Sequence, residues 1–189
     1  MTGTSRRSLL AGGALAAGLL AAAGAPAAGA APLAGDPGLL SSALQLERLV
    51  VLGYEQLLDG GWLSGPERAL ARGILAQERM HARTLEDYMV EIAAPRPPAP
   101  RSAAPLQSAL PGLSAVSDAR SALTYAAGIE ELSVYGYHSI VGPMSDDKLV
   151  QTALAILCDE GQHLAIVRER LGLDPVPSAL TYGQVHPTG

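Results

Sequence analysis

The chain has 189 residues, enough for one domain of ordinary size, and carries 13 basic against 18 acidic residues for a formal charge of −5. It has no Phe and a single Trp, so its core is expected to come from Leu, Val, Ile, Ala and Tyr, and its richness in good helix formers favours an all-helical fold. No basic stripe is present, which makes nucleic acid and anionic lipid poor partners. The lone Cys158 can make neither an internal disulfide nor a Cys-x-x-Cys knuckle, and reads as a small buried residue on a helix.

The chain opens with Ser5-Arg6-Arg7-Ser8-Leu9-Leu10 and then runs through Ala, Gly and Leu without an acidic residue before Asp36. A charged start, a weakly apolar stretch and a small-residue end at Ala28-Gly29-Ala30 describe a cleavable export signal over residues 1–30, with 31–38 as a linker. The paired arginines make it similar to the twin-arginine type, so the twin-arginine export machinery is an expected partner. The expected location is then periplasmic, cell-envelope or extracellular, with membrane contact only if the leader is retained as an anchor. Its removal leaves 11 basic residues against 18 acidic ones.

Four apolar stripes follow over 39–174. Leu40, Leu44, Glu47, Val51, Tyr54 and Leu58 share one helical face. So do Ala71, Ile74, Glu78, His81, Leu85, Tyr88 and Ile92, behind a capping-box pattern at Ser64-Gly65-Pro66-Glu67. Leu123, Ala127, Glu130, Val134, Tyr137 and Val141 form the third stripe, starting after Ser117-Asp118. Ala153, Ile156, Glu160, His163 and Val167 form the fourth, entered through Ser145-Asp146-Asp147 and ending near Gly172. Short connections make each successive pair an antiparallel hairpin. Residues 93–116, rich in Pro and nearly free of helical periodicity, predict an extended crossover long enough to run a bundle of about 35–40 Å. The predicted fold is a four-helix bundle with one long crossing, and 175–189 is an irregular tail.

Laid over itself at an offset of 82 to 83 residues, the chain repeats a pattern: Glu47 then Tyr54, Glu130 then Tyr137, each followed by Glu-x-x-His on the next helix, Glu78–His81 and Glu160–His163. Each glutamate sits mid-stripe, where Leu or Val would normally be. Burying four carboxylates without compensation would cost several kcal/mol each, against a net stability of about 5–15 kcal/mol. Two divalent cations balance four negative charges while the imidazoles bind neutral; protonation of the carboxyl groups is the alternative. Residues three apart face the same way, so each Glu-x-x-His can serve one centre. Tyr54 and Tyr137 lean towards the helix N-terminus, within reach of a ligand carboxylate. Glu55 and Glu131 lie off the stripes, as does His138, and His186 is in the tail; Tyr88 reads as core packing.

On Leu46-Glu47-Arg48 with Tyr54, Gln77-Glu78-Arg79-Met80-His81, Ile129-Glu130-Glu131 with Tyr137, and Asp159-Glu160-Gly161-Gln162-His163, the chain resembles the ferritin-like di-iron carboxylate superfamily, specifically exported bacterial ferritin-like domain proteins, from about Leu39 to Leu173. The resemblance implies a ferritin-like bundle in which Glu78 and Glu160 bridge two metals, Glu47 and Glu130 are terminal ligands, and His81 and His163 bind one metal each. It implies iron or manganese, and redox activity towards Fe(II), O2 or peroxide. Relatives range from ferroxidases and iron stores to peroxidases, manganese catalases and oxygenases. Departures from that pattern are the missing rubredoxin-like cysteine module and the missing fifth helical stripe, and nothing indicates haem. Three functions therefore compete: a redox-active dinuclear metalloprotein, a metal-binding or storage protein without catalysis, and a structural bundle with a vestigial site. Oligomeric state is left open.

Overall fold

Helix α1, Gly35–Asp59, carries Asp36 in its first turn and ends at Gly60-Gly61, where Gly61 takes a left-handed φ of 74°. These residues come from a computed structural model that describes residues 34–177; the predicted leader and most of the predicted tail lie outside that range. Helix α2, Gly65–Glu91, begins with Pro66 in its first turn. The predicted capping box there is not formed, because Ser64 makes no side-chain cap bond. Arg68 ties the turn instead by donating from its side chain to the Leu58 carbonyl at 2.8 Å.

The crossover differs from the predicted extended segment. It contains a short helix α3, Ala104–Ala109, and a 3-10 turn, Leu113–Ala115. Leu106, Ala109 and Leu110 are buried at i, i+3 and i+4, too short a run to register as a periodic stripe. The proline stretch before α3 is held to the bundle by polar side chains. Gln45 donates to the Pro98 carbonyl at 2.8 Å, and Arg48 to the Pro97 carbonyl at 2.7 Å and to Glu86 at 2.6 Å.

Helix α4, Ala119–Val141, starts on a reciprocal cap: Asp118 Oδ1 accepts from Ser121 N–H at 2.7 Å while Ser121 Oγ accepts from Asp118 N–H at 3.1 Å. Helix α5, Asp147–Arg170, starts where Asp146 accepts from Leu149 N–H at 2.8 Å, and stops at Gly172, φ 73°. Among the described residues there is no strand, and no helix is long and apolar enough to cross a membrane.

Helix α1 packs on α2, α4 packs on α5, and α1 also meets α4 along its length, whereas α2 and α5 touch sparingly. The C-terminal end of α1 shares an apolar cluster with the N-terminal ends of α2 and α4 and the C-terminal end of α5. A second cluster, from Leu40 and Leu44 to Met89, Ile140 and Ala153, fills the opposite end. In chain order the four helices therefore run up, down, down and up, with the crossover running from one end of the bundle to the other, the ferritin-like connectivity. Between the two clusters lies a polar layer holding every glutamate and histidine of the stripes. Val51 and Val141 are only partly buried, and Ile92 is exposed at the end of α2. Cys158, expected to be buried, is exposed: two residues before Glu160, it lies about 200° round the helix from the inward face.

Candidate metal centre

Glu47, Glu78, Glu130 and Glu160 are at most 1% exposed, and His81 and His163 are 6% and 3% exposed. They come from four different helices and meet in the middle of the bundle. One oxygen or nitrogen from each of Glu47, Glu78, His81 and Glu160 lies within 4.8 Å of the others, and Glu78, Glu130, Glu160 and His163 form a second such group. Glu78 and Glu160 belong to both. The two imidazoles stack with centroids 6.0 Å apart.

Each imidazole turns Nδ1 inward. His163 Nδ1 lies 2.9 Å from Glu78, 3.5 Å from Glu130 and 3.8 Å from Glu160. His81 Nδ1 lies 3.2 Å from Glu160, 3.4 Å from Glu78 and 3.7 Å from Glu47. The outward Nε2 atoms have their own partners, Gln77 Oε1 at 2.8 Å for His163 and Asp159 Oδ2 at 3.4 Å for His81. An Nε2–H donating outward leaves the Nδ1 lone pair facing the carboxylates.

Both tyrosines cross the bundle. Tyr54 on α1 donates to Glu130 Oε1 on α4, and Tyr137 on α4 donates to Glu47 Oε1 on α1. Glycines make the crossing possible. A Cβ on Gly53 would meet Leu106 Cδ2 at 2.7 Å and Ile129 Cδ1 at 2.9 Å, and one on Gly136 would meet Leu46 Cδ2 at 2.5 Å. Each glycine precedes a crossing tyrosine, and the residue it receives from the opposite helix precedes the glutamate that tyrosine reaches. Missing Cβ atoms let α1 and α4 approach. The Gly-Tyr pair repeats at the same offset as the Glu-to-Tyr spacing and is the sequence signal of this close approach, beyond the stripes themselves. Gln77 and Asp159, outside the expected site, immediately precede the glutamates of the two Glu-x-x-His steps.

Protein atoms alone leave this layer unsatisfied. Ten buried side-chain polar atoms among the described residues lack a hydrogen-bond partner, and eight belong to the cluster: Glu47 Oε2, both oxygens of Glu78 and of Glu160, Glu130 Oε2, and Nδ1 of both histidines. The short imidazole–carboxylate distances do not satisfy hydrogen-bond geometry, so they are electrostatic contacts only. Burial pushes Glu47 and Glu130 well above the ordinary carboxylate range, although the neighbouring histidines pull the other way. Burial would also raise Glu78, but its contacts with His163 and His81 outweigh it and bring it down to about 2. Desolvation lowers the basicity of His163, yet Glu130, Glu160 and Glu78 outweigh it and hold it at about 12; His81 is raised likewise by Glu160, Glu47 and Glu78. All of these shifts point to a demand for positive charge at the centre. Carboxylate oxygens and neutral imidazole nitrogens are the donor set that hard or borderline divalent cations use, so the residues fit two metal ions.

The remaining acidic groups and histidines stand apart. Glu55 pairs with Arg79 at 2.7 Å on the surface, Glu131 lies 3.8 Å from Arg168, and His138 is on the exposed side of α4. Tyr88 packs in the core with its hydroxyl on Asp146. His186 lies outside the described residues. A groove of about 810 Å³ at one end of the bundle, lined by Leu110, Val116, Tyr125 and Leu171 among others, includes none of the six. The six side chains of the centre are buried inside the bundle.

The ferritin-like domain family model matches residues 35–173, which contain all six residues. Neither the curated proteins nor the solved structures compared with the chain give a match. The helix order, the long crossover and the family match agree: this chain belongs to the ferritin-like domain family.

Proposed function

We propose that Glu47, Glu78, His81 and Glu160 hold one divalent metal ion, that Glu78, Glu130, Glu160 and His163 hold a second, and that the centre is redox-active towards Fe(II), dioxygen or peroxide. The observation that carries this reading is the eight buried, unpartnered atoms of the cluster, all turned to one layer. A purely structural bundle would gain stability by replacing them with Leu or Val. Iron suits the oxygen-rich donor set with two imidazoles, and manganese is its closest substitute. A bound metal pair would supply the electrons that dioxygen or peroxide takes up, and Lewis acidity for the bound oxygens.

The chain's own groups do the rest. Tyr137 and Tyr54 hold one oxygen of Glu47 and of Glu130, which leaves Oε2 of each directed at the imidazole nitrogen of its half-site. Gln77 and Asp159 orient the two rings through Nε2. Near-complete burial excludes bulk water and bulky organic substrates, leaving ions and diatomic or peroxide-sized reactants. The leader-like residues 1–30 would place this chemistry outside the cytoplasm, loaded before export.

The test is metal analysis of protein purified from its own export route, then Fe(II) oxidation under dioxygen or peroxide. Wild type should carry about two metal ions per chain and turn over, whereas Glu78→Gln, Glu160→Gln and His81→Ala should lose both. Background metal content in the wild type defeats the proposal. Full occupancy without turnover leaves a binding or storage protein.

A further inference from the structure

The two halves of the centre are near copies, exchanged by the swap of α1 with α4 and α2 with α5. Glu47 corresponds to Glu130, His81 to His163, and the tyrosine contacts correspond as well. The copies diverge directly behind the imidazoles. His163 Nε2 meets the neutral amide oxygen of Gln77, and His81 Nε2 meets the carboxylate of Asp159. Gln77 and Asp159 fill the same slot of the repeat, each serving the histidine of the opposite hairpin. Gln162 donates to the other Asp159 oxygen at 3.2 Å, so the carboxylate is held in place.

Charge, rather than contact length, separates the two. The Gln77 contact is shorter, 2.8 Å against 3.4 Å, and fixes its ring more firmly. An amide oxygen nevertheless carries no net charge. An imidazole N–H facing a carboxylate makes the opposite nitrogen a stronger donor, and the extra negative charge attracts a cation through the ring. The Asp159 side chain is 48% exposed, so water screens it, and the effect belongs near the low end of the 10- to 100-fold range seen for such outer partners.

Resting on the metal-centre reading above, we propose that the two metal positions are inequivalent and fill in order. The position of Glu47, Glu78, His81 and Glu160 fills first, with Asp159 and Gln77 as the positioning residues that set the order.

The experiment titrates chelator-treated, full-length protein with Mn(II), following free Mn(II) by electron paramagnetic resonance, and locates the metal at one equivalent by anomalous scattering in crystals. Wild type should bind in two steps separated by about tenfold in affinity, with the one-equivalent peak beside His81. Asp159→Asn should bring the steps within about threefold of each other by weakening the first, and Gln77→Glu should do so by strengthening the second. Asp159→Glu should keep the order. Asp159 is half-exposed and Gln77 exposed, so these variants keep the core, and an unchanged helical circular dichroism spectrum checks it. A peak beside His163, two equal steps in the wild type, or an undiminished separation in Asp159→Asn overturns the ordering and leaves the dinuclear reading intact. No Mn(II) binding by the wild type overturns both.

Discussion

Tyr137 on α4 hydrogen-bonds Glu47 on α1 across the middle of the bundle, 90 residues away in sequence, and both side chains are buried. The bond occupies Glu47 Oε1 while Oε2 faces His81 at 3.7 Å, so one carboxylate is divided between the bundle and the centre. Tyr137→Phe keeps the ring and removes the donor. A buried oxygen left without its partner costs about 1–3 kcal/mol, so chelated protein should lose that much in urea unfolding. Tyr54→Phe, its counterpart on Glu130, should cost a similar amount, and both should weaken metal binding about 10-fold or more. Unfolding curves that superimpose on the wild type would show that the hydroxyl is not what satisfies Glu47.

The stabilisation given by added metal should grow as pH rises. Glu47 and Glu130 have folded-state pKa values raised above the ordinary 4.5, so their contribution is fully present below 4.5 and is lost as pH rises. His163, raised from 6.5 to about 12, contributes fully below 6.5 and loses that contribution as pH climbs towards 12. Glu78 acts in the opposite sense: lowered to about 2, it stabilises above 4.5 and is lost on acidification below that. Chelated protein should therefore lose thermal stability between pH 5 and pH 8. Metal replaces these protons, so the increase in Tm on adding Mn(II) should grow over the same interval. A chelated protein that becomes more stable from pH 5 to pH 8 would contradict the assigned charge states.

Much of this architecture is legible in the sequence because the six inward residues interrupt apolar stripes of strict helical period. Glu78 and His81, or Glu160 and His163, lie on a face that already announces its direction through Ile74 and Leu85, or Ile156 and Val167. The crossover was less legible. Leu106 and Leu110 are buried through long-range contacts with α1 and α4, and a six-residue helix carries too few turns to show a period. Gln77 and Asp159 were missed for a related reason. They stand on the outer edge of their helices, where a polar residue usually means only solvent, and their partners lie on the other hairpin. Cys158 was misplaced because composition says how often a thiol is buried, whereas the helical angle from Glu160 says which way this one points.

A local strain is visible where α2 hands over to the crossover. Ala93 has φ 54°, the left-handed region, while Ala94 N–H reaches back to the Met89 carbonyl at 2.9 Å to close the helix. A Cβ there costs roughly 1–2 kcal/mol, which glycine avoids at the expense of more freedom in the unfolded chain. Ala93→Gly should therefore stabilise the domain by about 0.5–1 kcal/mol in urea unfolding, with metal content unchanged. Destabilisation would indicate that the Ala93 methyl group packs usefully.

The centre should also limit stability, and one paired substitution isolates that cost. Glu130→Leu alone would leave the Tyr54 hydroxyl buried without its acceptor, so it is combined with Tyr54→Phe. Burial pushes the Glu130 carboxyl well above its ordinary range, so its ionised form is disfavoured in the metal-free bundle and Leu removes that cost. His163 keeps its 2.9 Å contact with Glu78. Exchanging a buried polar pair for apolar groups of similar volume is typically neutral to stabilising by about 1–4 kcal/mol. In chelator, the double variant should unfold at higher urea than the wild type. With saturating Mn(II) the ranking should invert, because the wild type gains binding free energy at both positions and the variant has lost a ligand from one. A double variant that is less stable than the wild type in chelator would mean that the Tyr54–Glu130 bond holds α1 to α4 more strongly than the apolar packing replacing it.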